Sequence, residues 1–516
     1  MNQLKNKNVT RQLAKGGLTG ISGYLLLKPL NLLTSVLLAR FLGADGFGLY
    51  SLGLSVNVLL NVFTNFGFPQ GIVKLSIKYR TEGSTEKVKG VLYSSLIFSV
   101  SLCVLIVITQ LIFAEEISKM FFENDSLASV IIIFGLSVPF NTLYTFPAAF
   151  AQSFKKIKYQ SIILNITRPL SFLLFTIVVV SFKWDLDAVL YANLISTIVT
   201  AIIGFYFILK YFPEFYQTKI KPIYEFKNLI TFSMQTMFTG FLSILMIKID
   251  RIMIGYFSTS SDVGIYSAAA NLAINVTFFL TPFAMIFSPI SAELFHLNKI
   301  DELNKAFKNV TRWLLIFTLP LFFIFAGFSK ELLLMFGKDF SIGGTVLILI
   351  SIAELINVST GPVGILLKMS GHQLIDLKIS ILVLVINASL NYILIPIYGL
   401  AGAAIATAIA ITVTHSIRLL IVWKYLKIFP YDINTLKPFI SFLTMGIIFF
   451  IIVYFLEPVT LIKIIIGTFS LVGYTLHFFL SKKDEEDIFI LNSLKKRLSK
   501  KDKHNKKNNS DINESE

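Results

Sequence analysis

The chain is cut into long apolar blocks, many of them about 18 residues or more, with few charges inside them. A helix of that length spans the roughly 30 Å hydrocarbon core of a bilayer. The residues are 55% hydrophobic and only 15% charged in a chain of 516. A soluble domain could neither bury that much apolar surface nor stay dissolved with so little charge. The blocks are continuous instead of alternating, which excludes a strand-built barrel. The expectation is an all-α polytopic membrane protein. Lys5, Lys7, Arg11 and Lys15 precede a first run that is long and lacks a small-residue cleavage site. That run is expected to remain as the first span.

The blocks read as about fourteen transmembrane helices. They include spans near 47–69, 161–181, 263–289 and 343–367. The connecting loops alternate in charge. One set carries Lys74, Lys78 and Arg80, then Lys155, Lys156 and Lys158, then Lys219, Lys221 and Lys227, while the other set is nearly bare. The positive-inside rule places the first set, with both termini, in the cytoplasm of a multi-pass protein of the cell membrane. An even span count agrees. The longest outer loop is expected near residues 114–126, too short for a catalytic domain.

The chain also resembles itself. Gly48-Leu49-Tyr50-Ser51 recurs as Gly264-Ile265-Tyr266-Ser267, 216 positions on. Ala188 and Ala192 match Ala404 and Ala408 at the same offset. The loop Ser153-Phe154-Lys155-Lys156 answers Ser370-Gly371-His372-Gln373. A duplication gives two six-helix lobes, residues 1–215 and 216–430, with an additional helix pair at 431–481 and a basic tail at 482–516. An even number of spans per lobe keeps both copies in one orientation, the plan in which two bundles rock about a central cavity. The other reading of the repeat is a duplicated bundle that only scaffolds partners.

Three stretches carry a family likeness. Leu38-Ala39-Arg40-Phe41-Leu42-Gly43, followed by Gly46-Phe47-Gly48-Leu49-Tyr50-Ser51, resembles the first span junction of the oligosaccharide flippase (Wzx-type, polysaccharide biosynthesis) family. Ile249-Asp250-Arg251-Ile252-Met253-Ile254-Gly255 with Val263-Gly264-Ile265-Tyr266, and Tyr398-Gly399-Leu400-Ala401-Gly402-Ala403, are similar to two later junctions. The family lies in the multidrug/oligosaccharidyl-lipid/polysaccharide exporter superfamily. What the resemblance implies is the flipping of a lipid-linked oligosaccharide from the inner to the outer leaflet, for cell-surface glycan biosynthesis. The alternatives are a cation-coupled multidrug exporter of the same superfamily and a membrane-embedded glycan polymerase or glycosyltransferase. The last would need a catalytic loop that the sequence does not show.

A charge at bilayer depth costs at least about 2.5 kcal/mol, so it normally faces a wet cavity or a partner. Candidates are Lys28, Arg168, Lys248, Asp250, Arg251, Glu354, His415 and Arg418, with Arg40 at a span end. Lys248 and Arg251 stand three apart and share a helix face, while Asp250 points elsewhere. Lys28 and Arg168 each precede a proline, which bends a helix and frees a carbonyl. Arg40, Asp250, Arg251 and Arg418 either snorkel to an interface or face the interior. Cations outnumber anions at depth, and a lipid-linked sugar carries phosphate, the natural partner of Arg and Lys. Lys28, Arg168, Lys248 and Arg251 are therefore the expected substrate-binding residues. Asp250 and Glu354 are candidates for ion coupling or ion pairing.

The tail holds Lys495, Lys496, Arg497, Lys500 and Lys501. Net charge of +16 without a nucleic-acid fold or aromatic platform points to anionic lipid headgroups, not nucleic acid. Glycan-assembly proteins are further candidate partners. No phosphate loop, dinucleotide fingerprint, HExxH or cysteine cluster is present, so no enzyme chemistry, cofactor or metal is expected. The single cysteine, Cys103, sits in an apolar block.

Overall fold

The computed structural model describes residues 2–211, 220–456 and 460–480, so the expectations for the tail at 482–516 lie outside the described residues. Regular structure there is helical throughout. The first helices are α1 (Asn2–Asn65), α2 (Phe68–Thr81), α3 (Thr85–Phe122), α4 (Ser126–Ser153), α5 (Ile157–Ser161) and α6 (Arg168–Ser181). There follow α7 (Leu186–Tyr211), α8 (Phe226–Phe257), α9 (Ser260–Ala273), α10 (Leu280–His296), α11 (Ile300–Gly327) and α12 (Ser329–Leu334). The last are α13 (Gly344–Ser359), α14 (Val363–Met369), α15 (Gln373–Tyr398), α16 (Leu400–Leu426), α17 (Ile433–Leu456) and α18 (Thr460–Leu480).

Among the described residues, 11 helices are long and apolar enough to cross a membrane, or 12 if one bent pair counts as a single span. α1 holds two of the expected spans. Leu27 and Leu54 line one small cavity, whereas that many residues of straight helix measure about 40 Å. The chain therefore reverses at Gly43, whose φ of 70° suits a residue without a side chain. With that reversal and α18 included, helices fall on every expected span.

The structure departs from the expected spans where backbone donors run out or polar residues intrude. The span expected at 161–181 contains a π-helical turn, Ile162–Thr167, in which the Arg168 N–H donates to Ile163 O. Pro169 next to it has no N–H to give, so the regular ladder cannot continue. The span expected at 263–289 is bent by 43° between Ser260–Thr277 and Leu280–His296. The one expected at 343–367 breaks at Gly361-Pro362 between α13 and α14. Most of the loop expected after the second span is instead helix α2, which buries Phe68, Ile72, Leu75 and Tyr79 and leaves Lys74 exposed. The outer loop expected near 114–126 shrinks to residues 123–125, because α3 continues to Phe122.

The helices group into two compact units that part between Asp432 and Ile433. In the second unit α17 packs on α18. In the first, one large core cluster joins Leu38, Phe47 and Tyr50 to Val263, Tyr266 and Leu347, from both sequence halves. Its seam is the crossing of α1 on α9. A Cβ on Gly48 would lie 1.7 Å from Ser260 O, and one on Gly264 would lie 2.1 Å from Ala44 O. The contact is reciprocal: Ala44 and Gly48 stand 216 positions before Ser260 and Gly264, the offset of the sequence repeat. Lipid tails are as apolar as a protein core, so close backbone approach over small residues is what holds such a pair.

Candidate functional site

α8 supplies the three charges of one run. Arg251 donates from Nε to Ser267 Oγ (3.1 Å), from Nη1 to Ile247 O (2.9 Å) and from Nη2 to Asn271 Oδ1 (3.1 Å). Ser267 and Asn271 lie four apart on α9, so one helix face holds the guanidinium. Arg168, at the start of α6, is held alike: Nη1 to Ser196 Oγ (2.6 Å) and Nη2 to Asn193 Oδ1 (3.1 Å). Its guanidinium lies 5.3 Å from the Phe172 ring centre, and Asn193 donates on to Tyr50 Oη (3.3 Å). Every one of these partners is neutral. They fix each fork with two or three of its five N–H donors and leave the rest free, and no carboxylate is hydrogen-bonded to either guanidinium, although Asp250 acts on Arg251 through its charge.

Arg168, Lys248 and Arg251 line one cavity of about 330 Å³, and no carboxylate stands in its wall. Arg251 is 7% exposed and Asp250 3%, so neither snorkels to an interface. Leu164, in the π-helical turn, belongs both to this wall and to that of a larger cavity of about 1030 Å³. The larger cavity lies between Gln152, Ile157 and Gln160 on one side and α10, α14 and α16 on the other. Two of its lining residues, Gln152 and Ile157, flank the turn at Lys155-Lys156. The opposite end is shut. There the α1–α9 seam closes, Asp45 bonds to Ser260, Arg40 donates to Met335 O (2.5 Å) and Phe47 meets Phe340 edge-on at 6.0 Å.

The fourth expected cation stands apart. Lys28 is absent from the cation cavity's wall, although Leu27 and Asn31 line it. Its ammonium lies 5.7 Å from the centre of the Tyr24 ring, and its charge neighbour is Glu354. Glu354 accepts from Asn357 Nδ2 (2.9 Å), one turn along α13.

Asp250 faces away from Arg251, into the second half of the bundle. Its carboxylate accepts from Tyr266 Oη (3.0 Å), Thr407 Oγ1 (2.7 Å) and Asn391 Nδ2 (2.8 Å). It thus ties α8 to α9, α15 and α16 through neutral groups. Arg418 pairs with Asp376 (2.7 Å) and lines the larger cavity with His415 and Lys368. Sequence reasoning missed Asp376, which sits within the first turn of α15. It also missed Asn391 and Thr407, uncharged polar residues that no spacing links to Asp250. Among the described residues no three His, Cys, Asp or Glu side chains come together as a metal site.

Comparison with known proteins agrees with this architecture. Residues 13–295 match the model of the family described as polysaccharide biosynthesis protein. A capsular polysaccharide biosynthesis protein of Staphylococcus aureus, CapF, is 26% identical over 65% of this chain and 82% of its own length. A probable low-salt glycan biosynthesis flippase of Haloferax volcanii, Agl15, is 26% identical over 48% of this chain and 52% of its own. The fold is shared with a structure of the lipid II flippase MurJ in an inward closed conformation, at a TM-score of 0.68 and 16% identity, over 90% of this chain and 99% of that one. With the family match spanning more than half of its length, the chain belongs to the polysaccharide biosynthesis protein family.

Proposed function

We propose that this protein carries a lipid-linked oligosaccharide across the membrane, gripping the phosphate or pyrophosphate through Arg168, Lys248 and Arg251. The observation that carries the reading is the single cavity in which three cations converge without a carboxylate. An anion supplies what the two guanidiniums lack, and Lys248, which has no hydrogen-bond partner among the described residues, supplies a movable third donor. A multidrug exporter that takes cations would present carboxylates there, so that alternative is disfavoured. The names of the relatives, capsular polysaccharide biosynthesis protein and glycan biosynthesis flippase, support the same substrate class.

Two lobes, residues 1–215 and 216–430, rock against each other, parting and closing the α1–α9 seam, to expose the cavity in turn to each side. The Lys-rich loops and both termini face the cytoplasm, in keeping with the positive-inside rule, and the larger cavity is the inner entrance. Asp250, a buried carboxylate hydrogen-bonded only by neutral groups, is the residue assigned to coupling with a proton or a monovalent cation. The test is an export assay of Arg168→Ala, Lys248→Ala and Arg251→Ala, normalised to protein in the membrane. Export falls about tenfold or more in each arginine variant. Normal export by all three removes the anion-binding reading and restores the multidrug alternative.

A further inference from the structure

A second cavity opens from the cation site. It has a volume of about 410 Å³, within the usual range for small-ligand pockets of about 300–1,000 Å³. Arg168 and Asn193 belong to both walls. From there the second cavity runs between the later arm of α1, α4 and α8. Asn57, Asn61 and Asn65 stand four apart along α1, so they form one polar stripe. Asn141 and Thr145 of α4 line it as well. No Asp or Glu stands in this wall.

Part of the stripe is ordinary interhelical bonding. Asn57 Nδ2 donates to Phe134 O (2.6 Å), and Thr145 Oγ1 donates to Asn65 Oδ1 (2.9 Å). Asn61 does not fit that account. Its amide donates only to Asn57, on its own helix, at O and Oδ1 (2.8 Å each). Its Oδ1 is buried without any partner. A buried acceptor left open can take a donor from a ligand or a water. Nearby, Asn65 Nδ2 and Asn141 Oδ1 also lack hydrogen-bond partners among the described residues. The wall thus offers both open acceptors and an open donor, which suits hydroxyl groups, each of which both gives and accepts a hydrogen bond. With Arg168 at one end and no carboxylate in the wall, its charge disfavours a cation. On α8, a Cβ at Gly240 would meet only Val62 Cγ1, at 3.9 Å, so the cavity is kept open there.

We infer that this asparagine-lined cavity is the sugar subsite, holding the first hydroxyl-bearing residues of the oligosaccharide whose phosphate sits against Arg168. The inference rests on the phosphate-binding reading above. It predicts that the protein tells a glycosylated carrier from a bare one.

The test uses the full chain in lipid nanodiscs with two probes: the lipid-linked oligosaccharide pool extracted from the source cells, and polyprenyl pyrophosphate without sugar. The unaltered protein binds the glycosylated pool at least about tenfold more tightly than the bare carrier. Asn61→Leu and Gly240→Leu remove most of that preference and leave affinity for the bare carrier within about twofold. Arg251→Ala weakens both probes. A glycan preference that survives Asn61→Leu and Gly240→Leu overturns the sugar subsite, as does an equal loss for both probes. Equal binding of the two probes by the unaltered protein, with Arg251→Ala still weakening both, removes the sugar subsite and leaves the phosphate reading standing. No effect of Arg251→Ala on either probe removes the phosphate reading instead.

Discussion

Arg168 and Arg251 show one solution twice. Each guanidinium takes a serine and an asparagine from the next long helix, so its geometry is fixed while its charge stays available. Fixed forks recognise phosphate by direction as well as charge. Arg251→Lys keeps the charge and loses the fork, and export is expected to fall about tenfold at unchanged membrane abundance; export equal to that of the unaltered protein would make charge alone sufficient. Lys28 follows other rules, because Glu354 is its charge neighbour. Removing either leaves the other uncompensated at depth. Lys28→Ala and Glu354→Gln should therefore couple by about 0.5–3 kcal/mol in a double-mutant cycle read by thermal unfolding. Additive effects would show that the two do not act as a pair. At Asp250, asparagine keeps the size and part of the hydrogen bonding but removes the charge. Asp250→Asn should make export insensitive to the applied ion gradient, and an unchanged gradient dependence would take coupling elsewhere.

At the scale of helices, the α1–α9 crossing sets the geometry of everything inside it. Its close approach depends on hydrogen atoms at Gly48 and Gly264, since a Cβ at either would strike a backbone carbonyl on the other helix. Backbone cannot swing aside as the tip of a long side chain does. Gly48→Ala and Gly264→Ala should each destabilise the protein by about 1–3 kcal/mol, lowering its thermal midpoint in detergent. Gly240→Ala is the matched control, with no atom closer than 3.9 Å to the new Cβ; its effect should stay within about 0.5 kcal/mol. Equal effects at all three positions would mean that helix propensity, not the crossing, is being measured. The broken helices have a different use. The π-helical turn ahead of Pro169 re-aims α6 so that Arg168 reaches α7, and it puts Leu164 between the two cavities.

For the whole molecule, alternating access requires the closed end to part. Asp45 and Ser260 are bonded across the seam there. The one native cysteine, Cys103, is buried and easily replaced by serine. In that background, Asp45→Cys with Ser260→Cys, joined by a short thiol cross-linker, should stop export, while either cysteine alone treated the same way should not. Full export by the cross-linked protein would place the moving joint elsewhere.

Much of this was legible in the chain. Apolar block length determined an all-helical membrane protein, because a bilayer accepts little else. The spacing of Lys248, Asp250 and Arg251 determined that two of them share a face and the third does not, since helix pitch fixes angle along one helix. The 216-residue offset of Gly48 and Gly264 pointed to equivalent positions, though not to their meeting each other. What the sequence could not decide was which helix stands beside which. A membrane helix is apolar on its lipid face and on its packed face alike, so periodicity gives no rotation. Only the packed bundle sends Arg168 to Lys248 and Arg251, Lys28 to Glu354, Arg418 to Asp376 and Asp250 to Asn391. Those neighbours stand from 42 to 326 positions apart in the chain, and they are chosen by the fit of small residues and broken turns, which acts through three-dimensional contact and leaves no local pattern to read.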